Sequence, residues 1–308
     1  MPITLPTSPT VDRVSADARA ASFTTRSIKT SAKDAGLRLA LSMVDLTTLE
    51  GKDSPDKVRA LCRKALRPMP NDERVLGERL PTVAAVCVYP SLVEVAAEVV
   101  DGSGIKVASV ATGFPSGQYP LDVRLRDTER AINAGADEID MVINRGAFLS
   151  GRYETVAEEI AAVAQVCEES PREVHLKVIL ETGELETYDN IRRASDIAIA
   201  NIRDGDFIKT STGKVSPAAT MGVTLVMLEA IRDAERAGRT IGMKPAGGIS
   251  NAKLALHYLV MVKETLGDRW LDPVLFRFGA SSLADDLLRQ IVRRKTGVYP
   301  AGHDFTSA

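Results

Sequence analysis

Three charged residues stand inside apolar segments of the sequence, where burying a charge is costly. Lys209 lies in G-D-F-I-K-T-S-T-G, Lys244 ends T-I-G-M-K, and Asp140 lies in E-I-D-M-V-I-N. A buried lysine must find a carboxylate or give up its proton, because burial penalises the charged form. A structural ion pair would explain one such lysine, but two lysines and an aspartate in equivalent segments predict a reaction site.

Schiff-base catalysis is the chemistry that such a set supports. A lysine attacks a carbonyl only as the free amine, so its pKa must fall from about 10.4 toward neutrality. Partial burial and a second ammonium nearby can together lower that pKa by about 3, which is roughly 4 kcal/mol. We therefore expect Lys244 to promote loss of the proton from Lys209.

The imine formed in this way withdraws electrons, so the carbon–carbon bond beside the former carbonyl carbon can break or form. Asp140 would transfer a proton, directly or through water, at the hydroxyl created or consumed in that step. A salt bridge from Asp140 to either lysine is an equally weighted alternative, and the two roles are compatible.

Eight short apolar segments recur along the chain, each followed by a polar loop and a longer amphipathic stretch. Helical periodicity is clear in residues 153–169, 191–202 and 218–237, and the dipeptides Ser54-Pro55 and Ser216-Pro217 predict helix starts. The eight predicted strand segments begin at Leu37, Thr82, Ile105, Glu138, Val174, Asp206, Thr240 and Val274.

This alternation of strands and helices, in roughly 250 residues, predicts a (β/α)₈ TIM barrel. An open doubly wound sheet is the alternative, but it would show a Gly-rich loop after the first strand, where this chain has Asp45-Leu46-Thr47-Thr48. We expect an N-terminal extension, helical in part, over residues 1–36. The barrel would follow over residues 37–295, with a C-terminal tail over 296–308.

Composition and charge exclude several classes of function. The chain has 308 residues, 44% hydrophobic and 26% charged, with a formal net charge of -2. A near-neutral chain lacks the basic face that nucleic acid requires. No run of eighteen or more apolar residues is present to span a membrane, and the first residues do not read as a secretory signal.

Cysteine and histidine spacing argues against a disulfide framework and against a metal site. Cys62, Cys87 and Cys167 are widely separated, which favours the reducing cytoplasm. The three histidines show no metal-ligand spacing either, so we expect neither a metal nor another cofactor. Cys87 is expected to be a core residue, near enough to the barrel mouth for an aldehyde to reach it.

Two Gly/Ser-rich loops stand where barrels of this kind bind phosphate, after the seventh and eighth strands. The first contains Gly247 and Gly248, and the second contains Ser281 and Ser282. Glycines allow close approach of the backbone, and the N–H groups at the start of a helix attract anions. Two ordinary turns would also fit, but both loops in these positions favour a phosphate-bearing ligand.

These motifs resemble those of the 2-deoxyribose-5-phosphate aldolases, a family of class I aldolases. The resemblance is strongest in D-F-I-K-T-S-T-G-K, K-P-A-G-G-I and F-G-A-S-S, and it covers nearly everything from about Leu37 onward. The extension and the tail are similar to those of the longer members. Further stretches that match are D-L-T-T-L, A-V-C-V-Y-P, V-A-S-V-A-T-G-F-P and E-T-G-E-L.

The resemblance implies a TIM barrel that reversibly cleaves 2-deoxy-D-ribose 5-phosphate to acetaldehyde and D-glyceraldehyde 3-phosphate, in deoxyribonucleoside catabolism. Lys209 would be the Schiff-base lysine, Lys244 the cation beside it and Asp140 the proton-relay acid. Tyr299 is the candidate for a tyrosine in the C-terminal tail that assists proton transfer in some members. The residues implied at the substrate and phosphate sites are Asp45, Thr47, Cys87, Gly213, Lys214, Gly247, Gly248, Ser281 and Ser282.

Three alternatives remain open at this point. One is a Schiff-base aldolase or transaldolase for another phosphosugar, and another is a catalytically silent sugar-phosphate sensor. A purely structural barrel is the third, and the retained Lys209, Lys244 and Asp140 argue against both noncatalytic alternatives. Barrels of this kind often form homodimers or larger homo-oligomers through outer helices, but no face of this sequence is apolar enough to name.

Overall fold

Eight parallel strands form a barrel in the computed structural model, which describes residues 3–301 and Phe305. The sheet order is β7-β6-β5-β4-β3-β2-β1-β8, and the bridges Met243–Phe276 and Ala246–Gly279 connect its two ends. The predicted TIM barrel is therefore confirmed. The strands are β1 (Val44–Thr47), β2 (Ala85–Val88), β3 (Lys106–Val110), β4 (Glu138–Val142), β5 (His175–Ile179), β6 (Phe207–Lys209), β7 (Gly242–Lys244) and β8 (Phe278–Ala280).

Alternation along the strands sorts apolar side chains outward and charged side chains inward. In β4, Ile139 and Met141 pack in the apolar layer under the helices, whereas Glu138 and Asp140 are buried inside the barrel. Successive side chains of a strand point to opposite faces, so one strand can serve both layers. The barrel interior, usually filled by branched apolar residues, here also holds buried charged side chains.

Helices surround the barrel, and their starts follow local capping chemistry. Ser54 caps α3 as predicted, with Pro55 in the first turn. The predicted start at Ser216-Pro217 is wrong, because the Thr220 hydroxyl caps α10 four residues later. In the described residues the helices are α1 (Arg13–Phe23), α2 (Thr30–Ser42), α3 (Pro55–Leu66), α4 (Asp72–Leu76), α5 (Val93–Val100), α6 (Leu121–Asn133), α7 (Arg145–Leu149), α8 (Tyr153–Glu168), α9 (Tyr188–Ala200), α10 (Met221–Arg236), α11 (Ala252–Leu266) and α12 (Leu283–Thr296).

The segment from Leu37, predicted as the start of the first strand, is helical as far as Ser42. Leu37, Ala40 and Leu41 are fully buried and follow the i, i+3, i+4 spacing of a helix face, which packs on α11 and α12. The strand begins only at Val44. The boundary drawn between residues 36 and 37 therefore falls inside α2, while the division into extension, barrel and tail stays a prediction.

The N-terminal extension lies along the outside of the barrel. Helix α1 packs on α10 and α11, where Arg19 pairs with Glu229 at 2.5 Å. The segment before α1 reaches α9, since the Thr4 N–H donates to the Asn201 side chain at 2.9 Å. The extension thus joins α9, α10, α11 and α12. No helix within residues 3–301 is both long enough and apolar enough to cross a membrane.

Candidate active site

A cavity of about 350 Å³ opens at the carboxyl ends of the strands. Loops after β1, β6, β7 and β8 form its walls, and Lys209 reaches it from the end of β6. This is the end of the barrel at which the active sites of TIM-barrel enzymes are built. The lining residues are Thr47, Thr48, Leu49, Glu50, Lys57, Lys209, Thr212, Gly213, Lys214, Ala246, Gly247, Gly248, Ile249, Ser250, Gly279, Ala280, Ser281 and Ser282.

Lys209, Lys244 and Asp140 meet inside the barrel, as the sequence predicts. Strand register places Lys209 directly beside Lys244 on neighbouring strands. Oδ2 of Asp140 accepts from both amines, 2.7 Å from Nζ of Lys209 and 2.9 Å from Nζ of Lys244. Two ammonium groups therefore share one carboxylate oxygen, in a place where none of the three side chains is more than 3% exposed.

A wider network of buried charges surrounds this trio. Lys244 also contacts Asp45 at 2.6 Å, and Arg277 bridges Asp45 at 2.8 Å and Glu138 at 3.0 Å. Lys177 pairs with Glu138 and lies 3.3 Å from Asp140. The four cations Lys177, Lys209, Lys244 and Arg277 thus face the three carboxylates Asp45, Glu138 and Asp140, so full ionisation leaves one positive charge in excess.

Among the four cations of the network, Lys209 makes the fewest contacts with carboxylates. In the described part of the chain it contacts one carboxylate, whereas Lys177, Lys244 and Arg277 each contact two. It is also the only member of the seven that lines the cavity among the described residues. Loss of the proton from Lys209 would leave the network neutral and place a free amine next to the ligand space.

Lys244 and Asp140 are held in their charged forms by their partners. Burial would lower the pKa of Lys244, but the carboxylates of Asp140 and Asp45 outweigh burial and keep that pKa well above its ordinary value. Burial would raise the pKa of Asp140, yet the ammoniums of Lys209, Lys244 and Lys177 hold it well below the usual range. Lys244 therefore remains a cation beside Lys209.

Sequence reasoning assigned no role to Lys177, Glu138 or Arg277. Each stands inside an apolar strand segment, which is the same signal that identified Lys209. Gly242 helps to accommodate them, because a Cβ atom there would lie 2.6 Å from the ring of Phe207. That ring in turn lies 5.7 Å from Nζ of Lys177 and 5.8 Å from Cζ of Arg277.

The residues predicted to bind phosphate gather on one wall of the cavity. Gly247 has φ of +77°, and a Cβ atom there would lie 2.7 Å from that of Ala218, so this turn requires glycine. Ser282 stands before α12, and its hydroxyl makes no capping hydrogen bond, unlike that of Ser54 before α3. The members of this wall, which we call the phosphate wall, are Gly213, Lys214, Gly247, Gly248, Ser281 and Ser282.

Of the other residues implied at the substrate site, Thr47 lines the cavity and two lie beneath it. Asp45 is fully buried and is paired with Lys244 at 2.6 Å and with Arg277 at 2.8 Å. Cys87 packs in a small apolar cluster, with Sγ 4.0 Å from Oδ2 of Asp140. Burial, together with the charge of Asp140, raises the pKa of this thiol to about 11, so it is protonated at neutral pH.

Tyr299 lies away from the cavity, on the outer surface of α12. Its hydroxyl accepts from Nη1 of Arg293 at 2.7 Å and from Gln290 at 3.0 Å, and 45% of the residue is exposed. The guanidinium of Arg293 also stacks over the ring, which favours this position. The proton-relay role of Tyr299 stays a prediction, and tail residues 302–304 and 306–308 lie outside the described residues.

Acid is expected to destabilise the protein through this network. The pKa values of Asp45, Glu138 and Asp140 are held low by their cations despite burial. A carboxyl group whose pKa is lower in the folded state adds stability above its unfolded pKa of about 4, and that stability is lost as pH falls further. We expect the free energy of unfolding to decrease below about pH 5, measured by denaturant titration.

Asp140→Asn provides the matched comparison for the acid effect. At pH 7 it should cost about 3–5 kcal/mol of stability, because three cations lose a shared carboxylate. Below about pH 4 the difference from wild type should shrink, because the unfolded wild-type chain then binds a proton at Asp140 that the folded protein, with its lowered pKa, does not bind. A difference that stays constant with pH would contradict the assignment of the acid effect to Asp140.

Comparison with known proteins gives one consistent result. The family model described as DeoC/LacD family aldolase matches residues 39–288. The human and mouse proteins named deoxyribose-phosphate aldolase are each 47% identical over 286 residues, covering 91% of this chain and 88% of theirs. A tetrameric deoxyribose phosphate aldolase from Aeropyrum pernix shares the fold, with a TM-score of 0.64 and 22% identity over 88% of this chain and 100% of its own.

Proposed function

Because this chain belongs to the DeoC/LacD family of aldolases, we propose that it is a deoxyribose-phosphate aldolase whose Schiff base forms on Lys209. It reversibly cleaves 2-deoxy-D-ribose 5-phosphate to acetaldehyde and D-glyceraldehyde 3-phosphate. The observation that carries the assignment of Lys209 is its amine at the cavity floor, sharing one Asp140 oxygen with Lys244 in a network with one cation in excess.

Cleavage begins when the amine of Lys209 adds to the aldehyde carbon of the open-chain sugar and water leaves. The resulting iminium accepts the electron pair of the C2–C3 bond as that bond breaks, while the C3 hydroxyl loses its proton. Asp140 lies 2.7 Å from the lysine nitrogen and is the base that takes this proton, directly or through water. The enamine is then protonated at C2, and hydrolysis releases acetaldehyde and the free lysine.

Lys244 acts on charge rather than on substrate atoms. Its ammonium is fully buried between Asp45 and Asp140, and its positive charge disfavours a second ammonium on Lys209. The iminium formed on Lys209 carries the charge that the ammonium has in the resting network. The buried carboxylates can therefore stabilise the intermediate without rearranging.

Product identification tests the proposed reaction against its alternatives. Incubation with 2-deoxyribose 5-phosphate should release acetaldehyde and glyceraldehyde 3-phosphate in equal amounts. Turnover only with other aldehyde pairs would favour an aldolase or transaldolase for another phosphosugar. Ligand binding without any imine would favour a sugar-phosphate sensor, although a binding protein has no need for two buried lysines on one carboxylate.

The phosphate wall supplies a further prediction. Ser282→Asp places a carboxylate before α12, where we propose that the substrate phosphate binds. We expect KM for 2-deoxyribose 5-phosphate to rise about 10- to 100-fold, because like charges at close range cost on the order of 1–3 kcal/mol. Steady-state kinetics on 2-deoxyribose 5-phosphate and on unphosphorylated deoxyribose measures the effect.

Ser282→Asn is the control for the Ser282→Asp variant, since it changes side-chain size without adding charge. It should have a much smaller effect on KM. If unphosphorylated deoxyribose lost as much as the phosphorylated sugar in Ser282→Asp, the phosphate would bind elsewhere.

We further propose that the enzyme is a cytoplasmic homo-oligomer acting in deoxyribose phosphate catabolism. Cys62, Cys87 and Cys167 are free and buried, which suits a reducing compartment. The Aeropyrum pernix aldolase of the same fold is described as a tetramer. Sedimentation velocity of the full chain tests the assembly, and a monomer at micromolar concentration would contradict it.

A further inference from the structure

An ion pair crosses the cavity from one loop to another. Nζ of Lys214, in the loop after β6, lies 2.9 Å from Oε1 of Glu50, in the loop after β1. Both residues line the cavity, and the pair remains accessible to solvent, with side-chain exposures of 31% for Lys214 and 56% for Glu50. The ammonium on the phosphate wall is therefore already paired with a carboxylate of the protein.

The Glu50 end of the pair is held by a buried carboxylate. The side chain of Asp53 is 1% exposed and accepts from the Glu50 N–H at 2.8 Å and from the Thr48 hydroxyl at 2.9 Å. Lys57 completes this arrangement with a contact of 2.6 Å to Asp53. The loop after β1 is thereby fixed so that the side chain of Glu50 begins at the cavity rim.

A second buried carboxylate holds the Lys214 end. Glu181 is fully buried and accepts from the N–H and the hydroxyl of Thr212. The Thr212 oxygen in turn accepts from the Lys214 N–H at 3.0 Å. Asp53 and Glu181 thus set the backbone at the two ends of the ion pair, whereas the paired side chains themselves can still move.

We propose that Glu50 occupies the place of the substrate phosphate on Lys214 and so lowers the affinity of the cavity for phosphate. This inference rests on the proposed function for the identity of the phosphorylated ligand. Glu50 and the phosphate compete for one exposed ammonium, because two anions held side by side on it would repel each other. Glu50 can turn to solvent when displaced, because more than half of its side chain is already exposed.

Competition of this kind discriminates by charge. A phosphate monoester carries about -1.5 to -2 charge at pH 7 and three strong acceptor oxygens, so it displaces a carboxylate that carries one charge. An unphosphorylated sugar has no group that can do so, and it meets a cavity whose exposed cation is neutralised. Glu50 therefore weakens the binding of phosphosugars and other anions that need the Lys214 ammonium, whereas a neutral sugar does not have to displace it.

The size of the effect follows from the strength of an exposed ion pair. Such a pair closes with an equilibrium constant of about 1.4–5, and a ligand that needs the open form binds more weakly in inverse proportion to the open fraction. Glu50→Gln removes the charge and keeps the shape. We expect it to tighten binding of inorganic phosphate about two- to sixfold.

Titration calorimetry with inorganic phosphate is the first measurement, at low and at high salt. The gain in Glu50→Gln should shrink in 0.5 M sodium chloride, because salt screens an exposed pair. Adding Lys214→Gln to Glu50→Gln should abolish the gain. Glu264→Gln is the matched control, since Glu264 pairs with Arg26 at 2.9 Å on the outside of the barrel and should leave phosphate affinity unchanged.

Kinetics on 2-deoxyribose 5-phosphate and on unphosphorylated deoxyribose gives the second measurement. In Glu50→Gln the KM for 2-deoxyribose 5-phosphate should fall about two- to sixfold, the factor expected for inorganic phosphate. Unchanged or weaker phosphate binding in Glu50→Gln, or a gain that survives loss of Lys214, would overturn the proposal. If wild type cleaved neither sugar, the proposed function would fail, whereas calorimetry would still decide whether Glu50 competes with phosphate.

Discussion

Replacing Lys209 with methionine is expected to abolish cleavage, lowering kcat/KM about 10⁵-fold, as for loss of a covalent nucleophile. Methionine fills a similar volume but cannot form an imine, and it also removes the surplus positive charge of the network. The loss should therefore be chemical, with little loss of fold. Wild type treated with acetaldehyde and borohydride should carry an N-ethyl group on Lys209, located by peptide mapping, and the variant should not.

Lys214→Met is the matched control for this trapping experiment, because it removes another lysine of the same cavity. In Lys214→Met the N-ethyl label should still form on Lys209. Label on Lys214 or Lys57 in wild type, with Lys209 unmodified, would refute the assignment of the Schiff base. Equal cleavage activity in the Lys209→Met variant would refute the imine mechanism itself.

Lys244→Leu is expected to have the second largest effect, a loss of about 10- to 1000-fold in kcat/KM at pH 7. Removing this ammonium leaves three cations against three carboxylates, so the network is neutral only when Lys209 keeps its proton. Loss of a neighbouring charge can move the acid limb of the pH–rate profile by about 1–3 pH units. Here the move is toward higher pH, because the cation that disfavours a second ammonium is gone. The acid limb of the pH–rate profile should move upward accordingly.

Two further variants separate this charge effect from simple loss of structure. Lys244→Arg keeps the charge, and its acid limb should stay near that of wild type even if turnover is reduced. Combining Lys244→Leu with Asp45→Asn removes the carboxylate that lost its lysine, and it should recover stability. A pH–rate profile of Lys244→Leu that matches wild type would show that the two lysines are not coupled, so Lys244 would only support the floor of the cavity.

Much of the site was predictable because buried charge is conspicuous in a sequence. Lys209, Lys244 and Asp140 each interrupt a short apolar segment, and strand register brings two of them side by side. The same reasoning applies to Arg277, which interrupts V-L-F-R-F. The sequence does not indicate which carboxylates this arginine pairs with. The pairing of Arg277 with Asp45 and Glu138 depends on barrel closure, which joins residues far apart in the chain.

Other features depend on competition that local patterns do not resolve. The segment from Leu37 to Ser42 suits a strand by composition, yet burial against α11 and α12 makes it helical. Tyr299 fits the expected place of a catalytic tail residue, whereas the stack on Arg293 places it on α12. The pair between Glu50 and Lys214 joins two polar loops that carry no apolar pattern at all.

The barrel interior holds seven ionisable side chains whose charges, when all are ionised, would balance one another to within a single charge. A change at any one of them alters the environment of the other six, so single substitutions other than Lys209→Met should be far more harmful to stability than some pairs. Enzyme engineers who wish to retune this aldolase would do better to exchange a cation and an anion together. The same constraint would make these seven positions change in concert during evolution, while the outer apolar layer drifts one residue at a time.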